Sequence, residues 1–206
     1  MLFRSPEDYT SRGRIITPLK DRYAAQIRTH YPRSRELELR VAHQEAQLPR
    51  MPGVQVHVPG FMEQVLAEIT FQARSSPDVN QTSGVSVRMT ISNYETLVAN
   101  ALRRALRVGE DEAVPRPSDL EALETSTAGK LELEYAGADR SEAEVVRDLM
   151  RRASKLVFDA LVPLEGVASV VEAFHQGWNV EVSSAMPSRD YLVGLDEIPE
   201  IGRAHV

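Results

Sequence analysis

From about Ser92 to Arg107 the chain repeats apolar side chains (Tyr94, Leu97, Val98, Ala101, Leu102, Ala105 and Leu106) at spacings of three and four. That period places them on one face of an α-helix. Ser92 and Glu95 form the S-x-x-E pattern, in which each side chain can satisfy an unpaired backbone N–H at a helix start. Arg103, Arg104 and Arg107 fall where the C-terminal end of the helix dipole favours cations, and Gly109 can end the helix. Residues 61–74 repeat the pattern through Met62, Val65, Leu66, Ile69 and Ala73. Ser141 and Glu144 open a further helix to about Leu161, with Val145, Leu149, Leu156 and Ala160 in register. Shorter helices are expected from Leu164 to Gln176, from Ser118 to Glu124, and in an amphipathic tail after Pro187. The expected fold class is mainly α.

Strand signals are few. Val54, Val56 and Val58 alternate with polar residues, as do Val85, Val87, Met89 and Ile91, and Gln26–Tyr31 is a third short segment. Charge divides the chain unevenly: residues 1–58 hold ten Lys/Arg against six Asp/Glu, and the remainder holds fourteen against twenty-four. The first part reads as basic and irregular, the second as acidic and periodic. They meet near Pro49–Pro59, where three prolines and Gly53 interrupt any helix.

Several function classes are disfavoured by residue type. The chain has no Cys, which removes a disulfide scaffold, a thiolate metal site and a Cys nucleophile. Its net charge of −6 argues against a nucleic-acid partner, which wants a basic face. No apolar run approaches the roughly 20 residues that span a bilayer, so no membrane partner is expected. Residues 1–20 lack the apolar segment of a secretory signal, and a cytoplasmic location is expected. The five histidines are scattered without an i, i+4 pair, so no metal site is expected. Gly129-Lys130-Leu131 lacks the glycine turn and hydroxyl of a phosphate cradle. No G-x-S-x-G elbow supports a nucleophilic serine.

The arginines carry more information. A guanidinium is planar, permanently charged and presents five donors, so it suits phosphate oxygens. Arg88 closes Gly84-Val85-Ser86-Val87-Arg88 just before the clearest helical stripe, and Arg22 lies in Pro18-Leu19-Lys20-Asp21-Arg22-Tyr23.

In order along the chain, Ser5-Pro6, Gly13 and Pro18-Leu19-x-Asp21-Arg22-Tyr23 resemble the sensor 1 to arginine-finger stretch of AAA+ ATPases. The branch is that of MoxR and the magnesium-chelatase I subunit. Gly84-Val85-Ser86-Val87-Arg88 is similar to its sensor 2 segment, and Val114-Pro115-Arg116-Pro117-Ser118-Asp119-Leu120 to the link before its last lid helix. The resemblance covers residues 1–125. It implies that residues 1–58 are a remnant edge of the αβα core, 59–128 the helical lid, and 129–206 a C-terminal helical extension. The chain would then be the C-terminal half of a protomer, its Walker A cradle and Walker B acidic pair lying upstream. Ser5 stands where the family usually has Asn, a degenerate sensor 1 position that would align an attacking water poorly.

By the same resemblance, Arg22 is the arginine finger given in trans to a neighbour's ATP, and Arg88 contacts the γ-phosphate of its own protomer's nucleotide. ATP and Mg²⁺ are the cofactors of the intact family protein, and neither is expected to bind this chain tightly alone. No ATPase activity is expected of it in isolation. The implied partners are further copies in a hexameric ring and a protein with a von Willebrand factor A domain. The rival reading is a non-enzymatic helical interaction module in which Arg22 and Arg88 are surface charges.

Overall fold

Helix α1, Arg35–Glu45, begins at Ser34, whose hydroxyl accepts the Leu37 N–H. In the computed structural model the described residues are 22–25, 27, 29–134, 140–162 and 167–195. The chain divides into two units, residues 1–31 and 32–206. In the first, the described residues carry no helix or strand, which includes those of the segment expected as a strand at 26–31. All named elements belong to the second.

After α1 come β1 (Gln55–Val56), α2 (Gly60–Ser75), α3 (Arg88–Val108) and β2 (Glu112–Ala113). A 3₁₀ turn over Pro117–Ala122 leads into α4 (Leu123–Thr127), followed by α5 (Glu142–Leu161), α6 (Ala168–His175) and α7 (Ser188–Leu195). The described residues are mainly helical, as the periodicity predicts. No helix among them is long and apolar enough to cross a membrane.

The core forms where three amphipathic faces meet. Met62, Val65, Leu66 and Ile69 of α2 pack against Met89 and Leu97 of α3 and against Val145, Val146, Leu149 and Ala153 of α5. The other flank of α3, through Val98, Ala101, Leu102 and Ala105, closes on Ala113 and the half-buried Val54 and Val56. The strands pair in parallel, Gln55 opposite Glu112 and Val56 opposite Ala113. Gly109 ends α3 in the left-handed region at φ 74°, a conformation that costs an L side chain about 1–2 kcal/mol.

Four expectations need correction. Residues 85–91 are not a strand: α3 already starts at Arg88, and Met89 and Thr90 are both buried because neighbours cover two sides of its first turn. Ser92 and Glu95 therefore lie inside the helix, and the Glu95 carboxylate accepts the Gln47 N–H instead, at 2.8 Å. In α5 the buried positions are Val145, Val146, Leu149, Met150, Ala153 and Val157, whereas Leu156 and Ala160 are exposed. The Ser141–Glu144 capping box is present as expected. The part read as irregular contains α1, whose Glu38 and Ala42 are fully buried.

Candidate functional site

Arg88 is the first residue of a 21-residue helix, and its side chain is exposed. The segment before it is fixed link by link. Gly84 takes φ 71°, which turns the chain, and Val85 is fully buried. The Ser86 hydroxyl accepts the Arg88 backbone N–H at 3.3 Å and its Nε at 3.4 Å. Arg88 makes no ion pair among the described residues. The unpaired N–H groups of the first helical turn add a partial positive charge beside the guanidinium.

Beneath this segment lies a buried polar network. Arg74 of α2 donates through both terminal nitrogens to Glu38 of α1, at 2.8 and 3.0 Å, and through Nε to the Val85 carbonyl at 3.0 Å. The Thr90 hydroxyl donates to Glu38 Oε1 at 2.8 Å. Its single proton is thereby used, so the Thr70 hydroxyl is the donor in the 2.6 Å contact between the two threonines. Glu38, Thr70 and Thr90 are all fully buried. A carboxylate out of water is tolerated only when paired and hydrogen-bonded, and here a bidentate guanidinium and a hydroxyl do both. Nearby, Arg35 donates to Glu68, and its guanidinium lies 4.8 Å from the Phe71 ring centre.

Glu63 makes a second tie between α1 and the other helices. It accepts the Tyr94 hydroxyl at 3.2 Å and meets His43 Nε2 at 2.8 Å. Burial, reinforced by the Glu63 charge, pushes the Tyr94 phenol up to about 12.

The proline-rich link is held at the far end of α3. Arg104 donates to both oxygens of Asp119 and to the Val114 carbonyl, and Asp119 accepts the Arg116 N–H at 2.7 Å. Arg116 then reaches the C-terminal segment: it donates to the Met186 carbonyl and the Ser188 hydroxyl, both at 2.8 Å, and its guanidinium lies 4.5 Å from the Tyr191 ring centre.

Arg22 is exposed in a turn of the first unit, while Arg88 belongs to the second. Ser5 lies outside the described residues. Sequence reasoning missed Glu38, Arg74 and Thr90. Their only sequence signal is an acidic residue four positions before Ala42, on what becomes the buried face of α1. Among the described residues no group of three or more His, Asp or Glu side chains is placed to hold a metal.

A groove of about 620 Å³ opens between α2 and α5, lined by Phe61, Val65, Leu120, Phe158 and Leu161 among others. Phe61, Phe158 and Leu161 are each at least 41% exposed there. No protein-family model, curated protein or solved structure matches the chain.

Proposed function

We propose that the chain is the C-terminal portion of a AAA+ ATPase resembling MoxR and the magnesium-chelatase I subunit, and that it supplies arginines to an ATP site between subunits. The observation that carries this reading is Arg88. It is an exposed, permanently charged donor at the start of a long helix, on a segment tied to a buried ion pair. The backbone that presents it is fixed in place, and the helix end adds to the attraction for a phosphate.

In this reading Arg88 contacts the terminal phosphate of its own protomer's nucleotide, and Arg22 offers charge to a neighbour's during transfer. In the intact family protein ATP and Mg²⁺ are held by the core. Residues 59–128 act as the lid, 1–58 as the edge of the core and 129–206 as a helical extension. A hexameric ring, a partner with a von Willebrand factor A domain and a cytoplasmic setting belong to the same proposal. Without the cradle, the isolated chain does not turn over ATP.

Mixing the chain with a family core that carries an intact cradle, and measuring phosphate release, tests the reading. The unaltered chain should restore turnover, while Arg22→Ala should lower it by about 10³-fold or more, as for other arginines given in trans. Arg88→Ala should also lower it. Restoration that neither substitution diminishes overturns the reading.

A second reading, a helical interaction module without catalysis, is favoured by the exposed aromatic groove between α2 and α5. It predicts that Phe61→Ala and Phe158→Ala abolish partner binding while Arg88→Ala leaves it unchanged.

A further inference from the structure

The far half of α3 carries three arginines that nothing above uses for a ligand. Arg103, Arg104 and Arg107 line a cavity of about 360 Å³, which Ser118 and Ser184 also border. Arg103 and Arg107 stand four residues apart and so share one face of the helix. Arg107 has no hydrogen-bond or ion-pair partner among the described residues, and Arg103 donates only to Asn100 Oδ1. Both side chains are exposed.

A second observation concerns the same cavity. Arg104, which lines it, is only 6% exposed, and its Nε is a buried donor with no partner among the described residues. Leaving a buried donor unsatisfied is costly. The acidic wall residue beside it does not compete for the arginines. Asp119 already accepts from Asn100 at 2.7 Å, from Arg104 at both oxygens and from the Arg116 N–H. Glu121 is the other acid at the cavity, and it is exposed.

We propose that this cavity binds a phosphate dianion, either free or as the end group of a small monoester. Two exposed guanidinium groups, Arg107 without a partner among the described residues and Arg103 bonded only to Asn100, match tetrahedral oxyanion geometry and charge, and the hydroxyl-bearing Ser118 and Ser184 border the same cavity. The site is separate from Arg88. Arg103 and Arg107 follow it by 15 and 19 positions on one helix, about 22–28 Å at the usual rise per residue. Glu121 opposes the ligand and limits affinity.

The test is a titration of the full chain, at constant ionic strength, with inorganic phosphate and separately with glycerol 3-phosphate, read by amide NMR shifts. Saturable shifts at Asn100, Ser118 and Ser184 are expected. Arg107→Ala and Arg103→Ala should each weaken binding about tenfold. Glu121→Gln should tighten it about threefold by removing a like charge several ångströms away. Arg88→Ala should leave the titration unchanged, which separates this site from the proposed ATP contact. Tighter binding of the ester identifies a monoester ligand, and equal binding identifies free phosphate. The inference is overturned if no saturable shift occurs at these amides, or if Arg107→Ala titrates as the unaltered chain does.

Discussion

Arg74 crosses 36 positions of sequence to hold both carboxylate oxygens of Glu38, at 2.8 and 3.0 Å, and the pair sits under the segment that delivers Arg88. The side chains are 12% and 0% exposed, so neither charge has water to fall back on. The pair ties α1 to α2, and Thr90 brings in α3.

Removing one partner should therefore cost far more than replacing both. Glu38→Ala or Arg74→Ala should destabilise the fold by about 3–5 kcal/mol, the range for an orphaned buried charge. The double change Glu38→Leu with Arg74→Met should lose less than either single change does. Urea midpoints of the three variants, with unchanged m-values, check this.

The start of α5 should titrate. Glu144 accepts the Ser141 backbone N–H at 2.7 Å and its hydroxyl at 2.8 Å, and these two bonds hold its carboxyl below the usual 4.5. A lowered carboxylate pKa adds stability above its ordinary value and loses it as pH falls through the folded value. Thermal melts between pH 6 and pH 3 should thus show a decline that Glu144→Gln flattens. An equally steep decline in that variant would contradict the role.

Tyr94 gives the opposite sign. Its phenol is pushed from 10.0 up to about 12, first by burial and then by the Glu63 charge. The fold favours the neutral form, so this contribution is intact below pH 10 and is lost as pH rises through about 12. Absorbance titration at high pH should show one late phenol, absent in Tyr94→Phe and moved down in Glu63→Gln.

Arg116 should govern the C-terminal helix specifically. Arg116→Ala removes the bonds to the Met186 carbonyl and the Ser188 hydroxyl and the stacking on Tyr191. Charge-assisted bonds of this kind contribute about 1.5–3 kcal/mol each. Amide exchange over residues 188–195 should quicken by at least tenfold, with α5 unchanged. Equal loss of protection in both helices would show general unfolding instead.

The sequence made α2 and most of α3 legible because their burial follows the helical period with apolar residues. Met62, Val65, Leu66 and Ile69, and Leu97, Val98, Ala101 and Leu102, are all buried as the pattern requires. The start of α3 was hidden by a coincidence of two signals. Val85, Val87, Met89 and Ile91 alternate as a strand would, and Ser92 with Glu95 imitates a cap. Tertiary packing decided otherwise, burying both Met89 and Thr90 and giving Glu95 to the Gln47 N–H. Helix α1 escaped for a different reason. Its buried face is carried by Glu38 and Ala42 while Leu37 is 44% exposed, so a hydrophobic pattern reads its faces the wrong way round. Strand β2 is two residues long, too short to leave any period. Of the candidate site, Arg88 could be picked out from its position alone, whereas the acid that supports it, Glu38, becomes visible only when three helices are brought together.

Helix α3 is clamped close to its first residue, through Thr90 and the Val85 carbonyl, and runs unbroken to Val108. A rod of 21 residues is about 30 Å long, so a tilt of about 10° around that clamp sweeps its distal end through about 5 Å. Such a tilt would break the Arg104–Asp119 ion pair and unpack Ala101, Leu102 and Ala105 from Ala113, so α3 is pinned at both ends and acts as a spacer of fixed length between Arg88 and Arg107.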